Sequence, residues 1–309
     1  MTPPDTATRS AIVAVIGAPN AGKSTLVNRL VGAKVTIVTH KVQTTRMRVR
    51  GVMIEGAAQI VLVDTPGIFA PKRRLDRAMV GAAWAGAEDA DAILLVVDAA
   101  DLDAKPNGLG AQDTARIVEG LKGQNRKAAL VLNKVDALKR EKLLDLATRL
   151  NAAFPFEETF MISALKGGGV DRLRAWLAGK AEPGPWFFPE DQTADLSSRM
   201  MAAEITREQL YLRLHEELPY SAHVTTEGWE ERKDGSVRIE QVILVERDGQ
   251  KPIVIGKGGA TLKAIGAAAR KQISEILGQP VHLFLTVKVK SSWAEERGVY
   301  DEIGIDFDS

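Results

Sequence analysis

The chain has no cysteine, no apolar run long enough to span a bilayer, and no excess of charge of either sign. The first absence excludes disulfides and thiolate metal sites and agrees with a reducing compartment. The longest apolar runs, residues 11–16 and 92–97, are strand-length, too short for a signal-peptide core or a membrane span. We therefore expect a cytoplasmic protein that meets membranes only at its periphery. With 41 basic and 40 acidic residues the formal net charge is +1, so a nucleic acid or membrane partner must be met by a local patch. Internal repeats and low-complexity tracts are also missing. What remains is 309 residues, 45% hydrophobic and 26% charged, which suits two globular domains with separate cores.

Through the first 180 or so residues, short β-branched runs alternate with helical patterns. The runs are 12–16, 59–63, 93–97, 129–132 and 160–162, each followed by turn chemistry. That alternation predicts an α/β domain, a mostly parallel sheet with helices on both faces. The run Val49–Glu55 is the exception. Only Gly56-Ala57-Ala58 separates it from the next strand, so the two must pair antiparallel. Residues 179–192 carry Pro183, Pro185 and Pro189 and read as a semi-rigid linker. Beyond it the order becomes αββ, a glycine turn, then αβ, an α+β domain. Its helix over about 199–215 is stopped by Pro219, and Lys233-Asp234-Gly235-Ser236 marks a hairpin turn. The expected division is 9–180, a linker at 181–198, a second domain at 199–295 and a tail at 296–309.

Gly17-Ala18-Pro19-Asn20-Ala21-Gly22-Lys23-Ser24, followed by Thr25, fits the spacing of a phosphate-binding loop between a strand and a helix. Glycines let the backbone wrap phosphates, main-chain N–H groups at the helix start meet negative charge, and Lys23 reaches the β and γ oxygens. Ser24 offers an oxygen to Mg²⁺. Asp64-Thr65-Pro66-Gly67 follows an apolar strand, where Asp64 can hold the metal through water and the Gly67 N–H can meet a γ-phosphate. Asn133-Lys134-Val135-Asp136 ends another strand. A carboxylate at Asp136 pairs with guanine N1–H and its exocyclic amine, a donor pair that adenine lacks. Ser163-Ala164 ends the last strand, where a backbone N–H can reach guanine O6. Each piece alone is an ordinary turn, but four at successive strand ends point to a guanine nucleotide.

These residues resemble the translation-factor-like GTPases and, within them, the Era family. The resemblance extends to Gln43-Thr44-Thr45-Arg46 in a first switch and to Glu216-Glu217-Leu218-Pro219-Tyr220-Ser221 at the opening of the second domain. It implies that a threonine at 44 or 45 closes over Mg²⁺, with Thr45 favoured; Thr45, Asp64 and Gly67 are then the expected catalytic positions. Ile68 follows Gly67, so no glutamine stands there to orient an attacking water. Catalysis must come from backbone groups, cations or a partner, and turnover is expected to be slow. Asn20 occupies a position that resembles a K⁺ ligand of related GTPases; shaping the loop is an equal alternative.

Ile255-Gly256-Lys257-Gly258-Gly259 leads into the helix starting near Thr261. With 27 glycines, about two G-x-x-G strings are expected by chance, so the spacing says little by itself. Its setting says more. Lys251, Lys257, Lys263, Arg270, Lys271, Lys288 and Lys290 face one acid, Glu275, across this stretch. An ordinary solvated helix face is the alternative. The αββ–GxxG–αβ order resembles a type II KH domain, which holds single-stranded nucleotides beside the loop, with Ile253, Val254 and Ile255 as an apolar floor. The Era resemblance implies a monomer that binds GTP and GDP and the 3′ end of 16S rRNA in the 30S subunit, and acts in its assembly. The switches are expected near 36–48 and 67–82, with Lys72, Arg73, Arg74, Asp76 and Arg77 as candidates to carry the signal or, equally, as a solvated helix. A GTPase of a neighbouring family, and an RNA-binding module whose nucleotide is structural, remain competitors. A P-loop metabolic kinase would have no use for residues 133–136.

Overall fold

The structure, a computed structural model, describes residues 8–41, 44–215 and 218–307. Gln43, Glu216 and Glu217, quoted above, lie outside the described residues. Internal packing divides the chain into two units. One comprises Met1–Thr36, Thr45–Asp195 and Ile303–Ser309; the other comprises Ile37–Thr44 and Leu196–Glu302.

In the first unit the order is β1 (Arg9–Ile16), α1 (Lys23–Val31), β2 (Val49–Glu55), β3 (Ala58–Asp64), α2 (Arg74–Glu88), β4 (Ala92–Asp98), α3 (Ala99–Ala104), α4 (Leu109–Gly123), β5 (Ala129–Asn133), α5 (Arg140–Ala153), β6 (Thr159–Met161), α6 (Val170–Lys180) and β7 (Glu182–Pro183). The sheet runs β2-β3-β1-β4-β5-β6. It is parallel except for the β2–β3 hairpin and the short β7, antiparallel to β1. Successive β1 residues alternate between two cores: Val13 and Val15 pack with Leu26 and Leu30 of α1 and Leu173 and Leu177 of α6. Ala14 and Ile16 pack with Ile117 and Leu121 of α4 and Leu143 and Leu146 of α5. Burial on both faces explains why these strands read as continuous apolar runs. Because the central strands are parallel, their C-terminal ends share one edge, and the four predicted motifs all leave from it.

The proline-rich stretch is not a free connector. Gln59, fully buried in β3, accepts from the Phe187 and Phe188 N–H groups at 2.8 and 3.0 Å and donates to the Phe188 carbonyl at 2.8 Å. Trp186 Nε1 donates to the Ala57 carbonyl at 3.0 Å, and the Val52 N–H to that of Thr193 at 2.8 Å. A buried amide must find partners, and Gln59 finds them in this segment, which therefore packs as part of the first unit to Asp195.

The second unit contains α7 (Ser198–Arg213), β8 (Ala222–Glu231), β9 (Val237–Val245), α8 (Gln250–Ile255), α9 (Ala260–Leu277), β10 (Val281–Val289) and α10 (Arg297–Glu302). Its sheet runs β10-β9-β8, with β8–β9 antiparallel and β9–β10 parallel. Ser197 caps α7, its Oγ accepting from the Met200 N–H at 3.3 Å. Ile265, Ala269 and Ile273 of α9 are buried, four residues apart, as the helical period requires.

Candidate functional site

The loop from Gly17 to Gly22 turns on two positions where a side chain cannot fit. A Cβ on Gly17 (φ +157°) would lie 2.3 Å from the Val96 carbonyl oxygen, and one on Gly22 (φ +93°) 2.3 Å from Asn133 Nδ2. Gly22 is the left-handed N-cap of α1, so the N–H groups of Lys23, Ser24 and Thr25 open the helix without intrahelical acceptors. Asn20 also has positive φ (63°), a conformation asparagine tolerates. Ala18, Pro19 and Ala21 complete the turn, with the Ala21 N–H donating to the Ala18 carbonyl at 3.3 Å. Lys23 Nζ lies under the loop, donating to the Gly17 and Ala18 carbonyls at 3.1 and 3.0 Å. Burial lowers its pKa from 10.5 to about 8, with Asp64 pulling the other way.

Asp64, at the tip of β3, is the focus of a small oxygen cluster. Its Oδ2 accepts from Ser24 Oγ at 2.7 Å and from Thr36 Oγ1 at 2.9 Å, and Ser24 Oγ lies 2.8 Å from Thr45 Oγ1. Burial raises the Asp64 pKa, against the hydrogen bonds and the nearby Lys23 charge that lower it. The second oxygen, Oδ1, is buried and has no hydrogen-bond partner. Three convergent hydroxyls, of Ser24, Thr36 and Thr45, and one carboxylate with an unmatched buried oxygen fit a hard cation with oxygen ligands. Among the described residues there is no cluster of three or more His, Cys, Asp or Glu that would suit a transition metal instead. Of the two candidate threonines, the structure brings Thr45 to Ser24. Thr44 Oγ1 instead lies 2.6 Å from Thr39 Oγ1 and donates to the Lys41 carbonyl at 2.8 Å.

Thr65 Oγ1 donates to the Val15 carbonyl at 2.8 Å, tying the turn Thr65-Pro66-Gly67 to β1. Gly67 presses on the phosphate loop, where a Cβ would lie 2.9 Å from Pro19 N. The Ile68 N–H donates to the Gly17 carbonyl at 3.1 Å, and its side chain is fully buried in a core cluster. The Gly67 N–H has no protein partner among the described residues.

At the base end, Asn133 joins three segments. Its Nδ2 donates to the Ala21 carbonyl at 2.9 Å and its Oδ1 accepts from the Ala164 N–H at 2.9 Å. Lys134 (φ 61°) donates from Nζ to the Asn20 carbonyl at 2.9 Å and to Asp98 at 2.5 Å, spanning the loop and the end of β4. Val135 begins a short 3₁₀ turn that exposes Asp136. Asp136 pairs with Lys166 Nζ at 2.9 Å, and hydrogen bonds from Lys166 and Ser163 hold its carboxyl below the ordinary range.

Several positions that the structure brings to this site lie outside the sequence motifs. Thr36, at the edge of the expected first switch, joins the Asp64 cluster through a bond that no motif names. Lys166, two residues beyond Ser163-Ala164, holds Asp136. Since Ala164's N–H is taken by Asn133, the amide without a protein partner at this strand end is that of Leu165, whose side chain is 73% exposed. Only the position of Leu165 just after the motif hinted at it.

Of the charged residues after Ile68, Asp76 and Arg74 are engaged within the first unit, while Lys72, Arg73 and Arg77 are exposed. Asp76 accepts from the Lys72 and Arg73 N–H groups at 3.0 Å each and so caps α2, while Arg74 stacks on the Phe307 ring, 3.7 Å from its centroid.

In the second unit, Gly256 (φ 75°) is locked by contact: a Cβ there would lie 2.2 Å from Thr261 Oγ1. Gly258 (φ 59°) and Gly259 (φ 79°) face open space before α9. Lys257, Lys263, Arg270 and Lys271 are placed around this loop and along α9. The basic patch is smaller than the count suggested. Lys288 pairs with Glu227 at 3.2 Å, Lys290 with Glu296 at 2.5 Å, and Lys271 lies 4.0 Å from Glu275. Ile253, Val254 and Ile255, expected to floor a groove, end the short helix α8. Val254 is fully buried in the core and Ile253 is 59% exposed, so helical spacing splits them between faces.

Comparison with known proteins matches this arrangement along the whole chain. The family described as 50S ribosome-binding GTPase matches residues 12–134, and the KH domain family matches residues 217–294. GTPase Era of Caulobacter vibrioides (strain NA1000 / CB15N) is 60% identical over 315 residues, covering 100% of both chains. The chain belongs to the GTPase Era family. GTPase Era of Brucella suis biovar 1 is 62% identical over 302 residues, covering 98% of this chain and 95% of that one. A crystal structure of Era in complex with MgGDPNP and nucleotides 1506–1542 of 16S ribosomal RNA superposes with a TM-score of 0.88. It is 38% identical and covers 96% of this chain and 99% of that one. A crystal structure of an Aquifex aeolicus Era variant bound to GDP·AlF₄⁻ gives the same TM-score, 0.88, at the same identity and coverage. As an Era GTPase, the chain joins a P-loop GTP-hydrolysing domain to a KH domain, and the neighbouring-family and kinase alternatives fall away with that assignment. Among the described residues no helix is long and apolar enough to cross a membrane.

Proposed function

We propose that the chain is a GTP-driven switch whose KH domain binds the 3′ end of small-subunit ribosomal RNA during assembly of the 30S subunit. The nucleotide-binding domain is taken as 9–180 and the RNA-binding domain as 199–295. The observation that carries the catalytic half is the convergence of Ser24, Thr45 and the unmatched Asp64 Oδ1, which suits Mg²⁺ bound with the nucleotide. Ser24, Thr45 and Asp64 would hold the Mg²⁺, which would supply positive charge against that of the phosphates. The chain's own part is positioning. Lys23 and the first-turn amides hold the phosphates, the Gly67 N–H meets the γ-phosphate, and Asp136 with the Leu165 N–H reads guanine. With Ile68 turned into the core, no side chain at that position orients water, so intrinsic turnover is slow. The catalytic set is Thr45, Asp64 and Gly67, and Asn20 is the candidate ligand for an activating K⁺.

RNA recognition rests on the glycine loop 256–259 with Lys257, Lys263, Arg270 and Lys271, and on the Era complex that contains nucleotides 1506–1542 of 16S rRNA. The same assignment takes the protein as a cytoplasmic monomer, with any membrane contact weak and peripheral. GTP turnover measured in K⁺ and in Na⁺, with RNA ending in the small-subunit 3′ sequence and with a scrambled control, tests it. Faster turnover with the cognate RNA and with K⁺ is expected. Equal rates with both RNAs would favour a structural nucleotide on an RNA-binding module, and equal rates in the two salts would remove K⁺.

A further inference from the structure

The turn after β6 is held from three directions, all within the first unit. Its Ala164 N–H donates to Asn133 Oδ1 at 2.9 Å, and its Lys166 N–H donates to Ser163 Oγ at 3.1 Å. The third support comes from α1, where Arg29 Nε donates to the Ala164 carbonyl at 3.1 Å and Nη2 donates to the Leu165 carbonyl. No backbone N–H among the described residues reaches either carbonyl. Arg29 is exposed and lies in the last turn of α1, where a positive charge complements the helix dipole. That role needs no contact with carbonyls 135 and 136 positions away in sequence, and ordering a long side chain onto them costs rotamer freedom.

The peptide plane shows what the contact sets. In a trans peptide the C=O and N–H bonds of one plane point in opposite directions. With the Ala164 carbonyl drawn to Arg29, the Leu165 N–H points away from the guanidinium. The N–H groups of Ser163, Ala164, Lys166 and Gly167 all have acceptors, so that of Leu165 is the one in this turn without a protein partner among the described residues. We infer that Arg29 is a positioning residue for guanine recognition: by holding the Ala164–Leu165 peptide it directs the Leu165 N–H to O6 of the base. This rests on the reading that the Leu165 N–H meets guanine O6. Arg29 acts only through the peptide it holds. Because Lys23 and Ser24 begin the same helix, the contact also keeps this turn in register with the phosphate loop.

The test uses the full-length chain and the variants Arg29→Met and Arg29→Lys, with GDP and 6-thio-GDP competing against a fluorescent nucleotide. The two ligands differ only in the atom at position 6, where sulfur is a weak acceptor and oxygen a good one. The parent chain should prefer GDP. Arg29→Met removes the donors and keeps a long apolar stem. Its preference for GDP should shrink about fivefold, the worth of one hydrogen bond, with affinity for 6-thio-GDP nearly unchanged. Arg29→Lys keeps a donor without the planar fork and should show the same loss in smaller degree. If Arg29→Met keeps the parent's preference, even with a lower Tm or with both affinities reduced together, Arg29 only braces the fold and the inference is overturned. If the parent chain itself does not distinguish the two ligands, the reading of Leu165 fails first, and the two failures are thereby distinguishable.

Discussion

Asn133 Nδ2 donates to the Ala21 carbonyl oxygen at 2.9 Å, so a residue at the tip of β5 holds the phosphate loop closed from outside. The same side chain accepts from the Ala164 N–H, so the turn at 163–164 and the loop at 17–22 are tied through one residue. Asn133→Ala removes both bonds, each worth about 1 kcal/mol. Affinity for GDP and GTP should fall roughly thirtyfold together, measured by titration with a fluorescent nucleotide. A loss confined to one nucleotide would contradict this shared role.

Asp136→Asn changes the base rather than the phosphates. The exposed carboxylate at 136 matches the two guanine donors, and the amide matches one donor and one acceptor, the pattern of xanthine. Competition between GTP and XTP should reverse in the variant. Retained GTP preference would place base recognition elsewhere.

Lys23 gives a pH dependence with a definite sign. Its folded-state pKa of about 8 lies below the ordinary lysine value of 10.5, so the unfolded chain holds this proton more tightly. Stability of the nucleotide-free protein therefore gains from this group as pH rises from about 8 to 10.5, and the burial penalty is fully present below that window. Its size is on the order of 3 kcal/mol. Nucleotide-free Lys23→Met should be more stable than the parent chain at neutral pH, with the advantage shrinking as the pH approaches 10.5, followed by denaturant unfolding across that range.

Ile68→Gln restores the residue type that orients water in other GTPases, but the side chain at 68 points into the core between strand and helix. The substitution should not raise intrinsic turnover. It should lower stability by about 2 kcal/mol or more through an unmatched buried amide, seen as a fall in Tm. A faster enzyme of unchanged Tm would mean that residue 68 can turn toward the nucleotide.

Gly258→Asp places a negative charge on the glycine loop where a Cβ meets nothing within 4 Å and φ is 59°, which aspartate adopts more readily than most residues. RNA affinity, read by fluorescence anisotropy, should fall about tenfold or more, with GTP turnover in the absence of RNA unchanged. Gly256→Ala is the harsher change, because its Cβ would collide with Thr261 and disturb the loop itself.

Much of this was legible because strand ends and glycine turns are local. The alternation of apolar runs placed the sheet, and Val49–Glu55 begins and ends where expected. The antiparallel β2–β3 pair followed from a gap of a few residues. Contacts between residues far apart in sequence were not legible. Thr36 stands at the edge of the expected first switch, but nothing around it announces its bond to Asp64. The charge count around Gly256 missed ion pairs for the same reason, since Lys288 and Lys290 pair with Glu227 and Glu296, which lie outside the counted stretch. Prolines at 183, 185 and 189 suggested a spacer, because a sequence shows where backbone amides are missing but not where a buried Gln59 waits for those that remain.

That glutamine decides where the molecule can be cut. A fragment ending at residue 180 would deprive β1 of its β7 partner and leave the Gln59 amide with neither its donors nor its acceptor from residues 187–188. A fragment ending at Asp195 would retain them all, together with the bond from the Arg50 N–H to the Asp195 carboxylate. By their hydrogen bonds, residues 181–195 are a clasp that closes the first unit.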